Sequence, residues 1–213
     1  LVAADRAAQS FVKSHILGRV SFTTSHLNAP EDIEISGNYA FVINRTGASM
    51  SIFDIRDPTS PTFVYEFTDD DISECMSIAI NGNYAYLSSW VNHKLLIVDI
   101  SNPLLPAKVS SRIIGGDGGT VDRLRKIAYS SGYVYCCHQS ENKLYIVDVS
   151  SSANPAVVGS VSISAAAVGA YSVAVKGNYA YVGCLAIGTF AVVDCTEKTA
   201  PVVVKTLVEA DHY

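Results

Sequence analysis

The chain has 213 residues, of which 49% are apolar and only 16% charged, so it is long enough and apolar enough to bury a substantial core. Lys and Arg number 15 against 20 Asp and Glu, a net charge of -5 with no basic run, which argues against a nucleic-acid partner. No stretch of the sequence approaches the roughly 18 continuous apolar residues of a membrane-spanning helix.

The sequence opens on Leu1 rather than Met, as expected of a cleaved precursor or of a piece of a longer protein. Residues 1–29 are expected to form an N-terminal segment and residues 30–213 a repeat domain. Within the segment, Gln9 to Leu17 follows the Pro-x-x-Val pattern of the later runs Pro61 to Val64 and Pro106 to Val109, with Gln9 in the proline slot. This is an outer β-strand without a sheet, and three readings stay open. It belongs to missing upstream sheets; or it is donated to the sheet edge of a neighbouring subunit, with Phe11, Val12, Ile16 and Leu17 as anchors; or it is a helix, since Leu1, Ala4, Ala8, Phe11, Val12, His15 and Ile16 share one helical face. Donation of such a strand contributes on the order of 10 to 17 kcal/mol gross, most of it offset by about 4 to 15 kcal/mol of association and ordering cost. A filament would therefore need contacts between whole sheets as well, and the low charged fraction favours them.

From residue 30 onward the sequence repeats. Gly37 to Ala40, Gly82 to Ala85 and Gly177 to Ala180 are copies of Gly-Asn-Tyr-Ala, and Ser131 to Val134 fills the remaining slot. Their tyrosines at 39, 84, 133 and 179 step by 45, 49 and 46; so do Asp54, Asp99, Asp148 and Asp194, and so do Pro61, Pro106, Pro155 and Pro201. Three landmarks in one register define four units. In the second unit, Met76 to Ile80, Tyr84 to Ser89, Leu95 to Ile100 and Ala107 to Arg112 read as four strands separated by turn residues. Leu95 to Val98 is apolar on both faces, so each sheet must be covered on both sides by neighbours. The predicted fold is all-β: a β-propeller of four four-stranded antiparallel blades plus one extra N-terminal strand. Val202 to Val208 supplies the outer strand of the fourth unit, so the N-terminal strand is not needed to complete it.

The run Leu95 to Pro103, with its core Leu-Leu-Ile-Val-Asp and the following Pro106 and Val109, resembles the LVIVD repeat of bacterial and archaeal cell-surface propellers. Leu144 to Ser150 repeats it closely; Ser51 to Ile55 and Ala191 to Cys195 are looser copies, the last with a cysteine after the aspartate. The resemblance implies an extracellular or cell-surface location and brings no shared catalytic motif. The expected function is a non-enzymatic structural subunit, a homo-oligomer assembling into a surface appendage or filament. The alternative is an adhesin whose rim loops bind carbohydrate or another surface protein.

Antiparallel pairing places the start of each inner strand and the end of each second strand on one rim. Trp90, His93, Arg123, Arg125 and His138 are the candidate ligand contacts there, and Asn44, in the sequon Asn44-Arg45-Thr46, is the candidate glycosylation site. Cys75, Cys136, Cys137 and Cys184 share that rim while Cys195 lies on the opposite one; a disulfide through Cys75 is considered, but without a Cys-x-x-Cys pair no metal is expected, and buried small side chains are the plainer reading. Asp69, Asp70, Asp71 and Glu74 lack the glycine-turned spacing of a calcium loop and read as a solvated acidic loop. Gly115 to Gly119 leads into no helix and reads as a loop, not a phosphate cradle. One aspartate per unit at a strand end fits an Asx turn better than acid-base chemistry. No Gly-x-Ser-x-Gly elbow exists for His15, His26, His93, His138 or His212 to serve, and neither enzyme activity nor a cofactor is expected.

Overall fold

The computed structural model describes residues 26–116, 123–163, 169–185 and 188–208, and among these it is all-β. Blade 1 comprises β1 (Pro30–Ser36), β2 (Tyr39–Asn44), β3 (Ser49–Asp54) and β4 (Thr62–Thr68). Blade 2 comprises β5 (Cys75–Asn81), β6 (Tyr84–Ser89), β7 (Lys94–Asp99) and β8 (Ala107–Ile113). Blade 3 comprises β9 (Leu124–Ser130), β10 (Tyr133–His138), β11 (Lys143–Asp148) and β12 (Ala156–Ser162). Blade 4 comprises β13 (Ala170–Lys176), β14 (Tyr179–Cys184), β15 (Thr189–Asp194) and β16 (Val202–Val208). Each blade is an antiparallel meander in chain order, the four-bladed architecture read from the repeats. The strand candidate Gln9 to Leu17, with Phe11, Val12, Ile16 and Leu17, lies outside the described residues.

The landmarks are turn chemistry. Gly37, Gly82 and Gly177 take φ of +57°, +55° and +59° in the hairpins after the inner strands, a region glycine enters without strain. At the far end of each third strand the aspartate carboxylate accepts the backbone N–H two residues on: Arg56 to Asp54 at 2.9 Å, and Ser101 to Asp99, Ser150 to Asp148 and Thr196 to Asp194 at 2.8 Å. The repeated aspartates are thus Asx turns, and hydrogen bonds from the side chains of Arg56, Ser101, Ser150 and Thr196, then from their backbone N–H groups, hold the aspartate pKa values below the usual carboxylate range.

Alternation along each strand gives every blade two apolar faces of different character. The forward face of blade 3 carries Tyr133, Tyr135, Leu144 and Ile146 and packs on Ala180, Val182, Ala191 and Val193 of blade 4. Tyr86, Leu95 and Ile97 of blade 2 pack in the same way on Val134, Cys136 and Val147 of blade 3. Phe41, Met50 and Ile52 of blade 1 pack on Ala85, Leu87, Leu96 and Val98 of blade 2. Large side chains therefore project forward onto smaller ones three times in succession. The inner strands adjoin in series, β1 to β5 to β9 to β13, and among the described residues no comparable contact joins β13 to β1. Near the axis, Asp32 ties three blades together: its carboxylate accepts Ser77 Oγ at 2.7 Å and the Ile78 N–H at 3.1 Å, and Lys126 Nζ lies 3.4 Å away.

Among the described residues no blade lies against the backward face of blade 1. Chain preceding β1 covers its centre: the His26 ring stacks on Phe63 at 3.7 Å, and the His26 carbonyl accepts hydrogen bonds from Asn44 Nδ2 and Ser51 Oγ. Asn44 is consequently fully buried, its amide also donating to Ser49 Oγ at 3.1 Å and Ser51 Oγ at 2.8 Å. This corrects the expected glycosylation of Asn44, because the nitrogen a glycan would need is enclosed. Ile33 and Ile35 of β1 remain exposed beside the covered centre, and among the described residues no element covers the forward face of blade 4.

Candidate axial binding site

Each inner strand opens with a bulge on the same rim, between Pro30 and Asp32, Cys75 and Ser77, and Ala170 and Ser172, with an equivalent shift opposite β9. A bulge re-aims the residue it leaves unpaired. The re-aimed positions are Glu31, Met76, Arg125 and Tyr171, which step by 45, 49 and 46 like the landmarks. Arg45, Trp90, Gln139 and Leu185 form a second ring just past the second strands. Each is held there by one backbone hydrogen bond, to the carbonyls of Ala29, Glu74, Arg123 and Gly169 at 2.9, 3.2, 2.8 and 2.9 Å. Tyr, Asp and Pro recur at their landmarks because turns require them, but these rim positions differ in every blade, so the fold does not dictate their chemistry.

Three of the residues expected at the rim converge here. The Arg125 guanidinium lies 4.3 Å from the Trp90 ring centre and 4.9 Å from that of Tyr171, and Arg125 Nε donates to Gln139 Oε1 at 2.6 Å. Arg123 lies 5.3 Å from the same Trp90 ring. Burial draws the Arg125 pKa downward, nearby Arg123 and Arg45 add to this, and Tyr171 and Glu31 oppose it. None of Arg45, Arg123 and Arg125 forms an ion pair, since the seven carboxylate contacts among the described residues are made by Arg56, lysines and His138. The rim thus presents a cationic, aromatic mouth: Arg125 is fixed between two rings, and Arg123 and Arg45 are half-buried with donors free for an anion. Sequence reasoning missed Tyr171, Gln139 and Arg45; extending the repeat register from Trp90 and Arg125 reaches all three.

The other expected contacts lie elsewhere. His93 and His138 approach each other, ring centres 6.4 Å apart, but on the outer side of blades 2 and 3. His138 is fully buried: Nδ1 accepts the Glu141 N–H at 3.3 Å, and Nε2 is 3.8 Å from Glu141 Oε1. This corrects the expectation that it touches a ligand, because alternation at the end of β10 turns it inward under Glu141 and Tyr145. Glu141 receives the Lys143 ammonium at 2.8 Å, the Tyr145 hydroxyl, and the Gly116 N–H at 2.6 Å, which ties the first glycines of the Gly115 loop to blade 3 beside a cleft of ≈ 580 Å³.

All five cysteines are free thiols. Cys75, Cys136 and Cys137 occupy three different interblade cores and do not meet on the rim, which removes the considered disulfide. Burial pushes the Cys75 thiol up to about 12, and Cys136, Cys137, Cys184 and Cys195 are also raised by burial. Thiolate is the reactive form, so a thiol reagent such as Ellman's is expected to label no more than half-buried Cys184 in the native chain and all five sites in denaturant; fast labelling of Cys75 would contradict this packing. Among the described residues no group of three or more His, Cys, Asp or Glu is arranged to hold a metal ion. The acidic loop is ion-paired rather than solvated: Lys108 Nζ lies 2.9 Å from Asp69 and also contacts Asp71, which Lys94 reaches from the other side. No helix among the described residues is long and apolar enough to cross a membrane.

Comparison with solved structures gives the fold company. A protein from Lactobacillus plantarum superimposes with a TM-score of 0.74 at 11% identity, over 86% of this chain and 57% of the other. A functionally unknown protein from Desulfotomaculum acetoxidans gives 0.70 at 14% identity, over 93% and 62%. The periplasmic gluconolactonase of Pseudomonas aeruginosa gives 0.70 at 14% identity, over 84% and 53%. At such identities the likeness is one of fold alone, and the chain spans little more than half the length of these neighbours. No curated protein matches the sequence. Residues 29–69, 74–111, 123–163 and 169–207 each match the LVIVD repeat, one match per blade, and the chain belongs to the LVIVD-repeat family.

Proposed function

We propose that the chain is a non-enzymatic, cell-surface binding module whose axial mouth takes an acidic carbohydrate. The observation that supports this is the stack of Trp90, Arg125 and Tyr171 beside Arg123 and Arg45, guanidiniums without carboxylate partners. A planar guanidinium matches a carboxylate through two parallel hydrogen bonds, and an indole ring offers the face on which a sugar's C–H groups stack. A glycan array containing uronic-acid oligosaccharides is the test. Binding is expected to weaken at least tenfold, about 1.4 kcal/mol, in Arg123→Ala and in Trp90→Ala, and to fall with added salt. Binding unchanged in both variants would place the ligand elsewhere. In the same assays gluconolactone should hydrolyse no faster than in buffer, and turnover abolished by Arg125→Lys would replace the binding reading with an enzymatic one.

The second reading is the self-assembling subunit, with strand donation by Phe11, Val12, Ile16 and Leu17. The open apolar face of blade 4 favours assembly, since Phe190 is exposed where its counterparts Met50, Leu95 and Leu144 in blades 1 to 3 are fully buried. Strand donation predicts regular filaments in negative-stain microscopy of the full chain, filaments that disappear when residues 1–18 are deleted. Isolated small particles from the intact chain would leave the binding module alone.

A further inference from the structure

The forward face of blade 4 carries Tyr179, Tyr181, Phe190, Val192 and Leu207 on β14, β15 and β16. Pairing across the strands puts all five on one side: Tyr181 is opposite Val192, and Phe190 is opposite Leu207. Their counterparts one blade back are Tyr133, Tyr135, Leu144, Ile146 and Val161, which form the core between blades 3 and 4. The contrast in exposure is clearest on the third strand, where Leu144 is 0% exposed and its counterpart Phe190 39%; Tyr179 and Leu207 beside it are 42% and 51% exposed. The Tyr181 and Phe190 rings are already stacked, centres 6.1 Å apart, so the patch is a preformed surface. Its charges are Lys176 and Asp194, which flank Tyr179 at one end, and Lys205, which lies opposite Val192 on the outer strand.

We infer that this face is a self-recognition surface on which two copies of the chain pack blade 4 against blade 4 about a two-fold axis. The inference rests on the assembly reading and assigns it a surface apart from the N-terminal strand. Continuity with the three interfaces inside the chain supplies the chemistry, because the counterparts of Phe190 and Val192, namely Met50 and Ile52, Leu95 and Ile97, and Leu144 and Ile146, are fully buried in every earlier blade. Four strands at about 4.8 Å and six residues at about 3.3 Å give a face of about 400 Å² in projection, about half the ≈ 800 Å² per partner of a standard interface, so the pair is expected to be a weak, concentration-dependent dimer. The occupant is a second blade 4 and not a second blade 1. The backward face of blade 1 is already covered at its centre, where a head-to-tail neighbour would have to lift His26 off Phe63 and break its carbonyl's bonds to Asn44 and Ser51. A two-fold pair covers both open faces at once and disturbs neither.

Sedimentation velocity of the full chain over a dilution series tests this. The chain is expected to sediment as a concentration-dependent dimer, with self-association weakened at least tenfold by Phe190→Lys and separately by Leu207→Lys while the far-ultraviolet spectrum and urea midpoint stay those of the parent. Deleting residues 1–18 is expected to leave the dimer intact, and so is Ile33→Lys. A chain that remains monomeric at about 100 µM overturns the inference, as does a dimer that survives both lysine variants. Dissociation by Ile33→Lys would make the contact head-to-tail, and loss of assembly on deletion of residues 1–18 alone would return it to strand donation; either result also overturns the two-fold face.

Discussion

Leu95→Ala and Leu144→Ala are each expected to lower the unfolding free energy by roughly 2 to 5 kcal/mol, whereas Phe190→Ala, at the same position of the repeat, lowers it by about 1 kcal/mol or less. The three residues step by 49 and 46 and close the same hairpin in blades 2, 3 and 4. Leu95 and Leu144 are fully enclosed by the following blade, so truncation forfeits transfer free energy and leaves a cavity its neighbours cannot refill. Phe190 already gives part of its ring to water, and the chain loses little more by giving up the rest. Urea denaturation at concentrations low enough to keep the chain monomeric makes the comparison, with the shift in midpoint at constant slope as the readout. Equal losses at all three positions would mean that the forward face of blade 4 is covered within one chain.

The same three positions show why the architecture was legible and the site only partly so. Turn geometry is local: Gly37 and its counterparts need positive φ, Asp54 and its counterparts need an N–H two residues on, and both demands are written in adjacent letters. Hence Tyr84 to Ser89 and Val202 to Val208 are strands within the bounds expected of them, and the remaining ends of the second unit shift by no more than a single residue. The contacts that decide Asn44, His138 and Asp71 are not local. Asn44 is closed off by His26, which precedes it by 18 residues, and Asp71 is bridged by Lys108, which follows it by 37. Nothing in an Asn-Arg-Thr triplet or an Asp-Asp-Asp run records such a partner. The axial mouth lies between these cases. Trp90, Arg123 and Arg125 stood out by residue type, while Tyr171 and Gln139 became visible only when one blade's positions were read against another's.

Acid is expected to destabilise the chain between about pH 4.5 and 2, and Asp71→Asn is expected to flatten that fall. In the folded chain the Asp71 carboxyl titrates well below the usual carboxylate range, chiefly through hydrogen bonds from Lys108 and then Lys94, with burial opposing and Ser111 assisting. At Glu141 burial pushes upward, but Lys143, Tyr145 and the Gly116 N–H outweigh it and hold the group at about 2. Both folded values lie below the unfolded one, so across this window the unfolded chain binds more protons and stability rises with pH. The contribution is complete above the unfolded carboxylate pKa of roughly 4 and disappears as pH falls through the folded values. After allowance for solvent screening at these partly exposed sites, Glu141 contributes about 1 to 2 kcal/mol, and removing the Asp71 charge also leaves Lys94 without a carboxylate partner and Lys108 with Asp69 alone. Lys108 adds an alkaline limb of opposite sign: Asp71 and Asp69 raise its pKa, so its share is full below the ordinary lysine value of about 10.4 and is lost above it. A single substitution therefore flattens the stability profile at both ends, which a loss of packing cannot do. Urea midpoints from pH 2 to 11 for the parent and Asp71→Asn decide the matter, and parallel curves would mean that the loop is as solvated as its three consecutive aspartates first suggest.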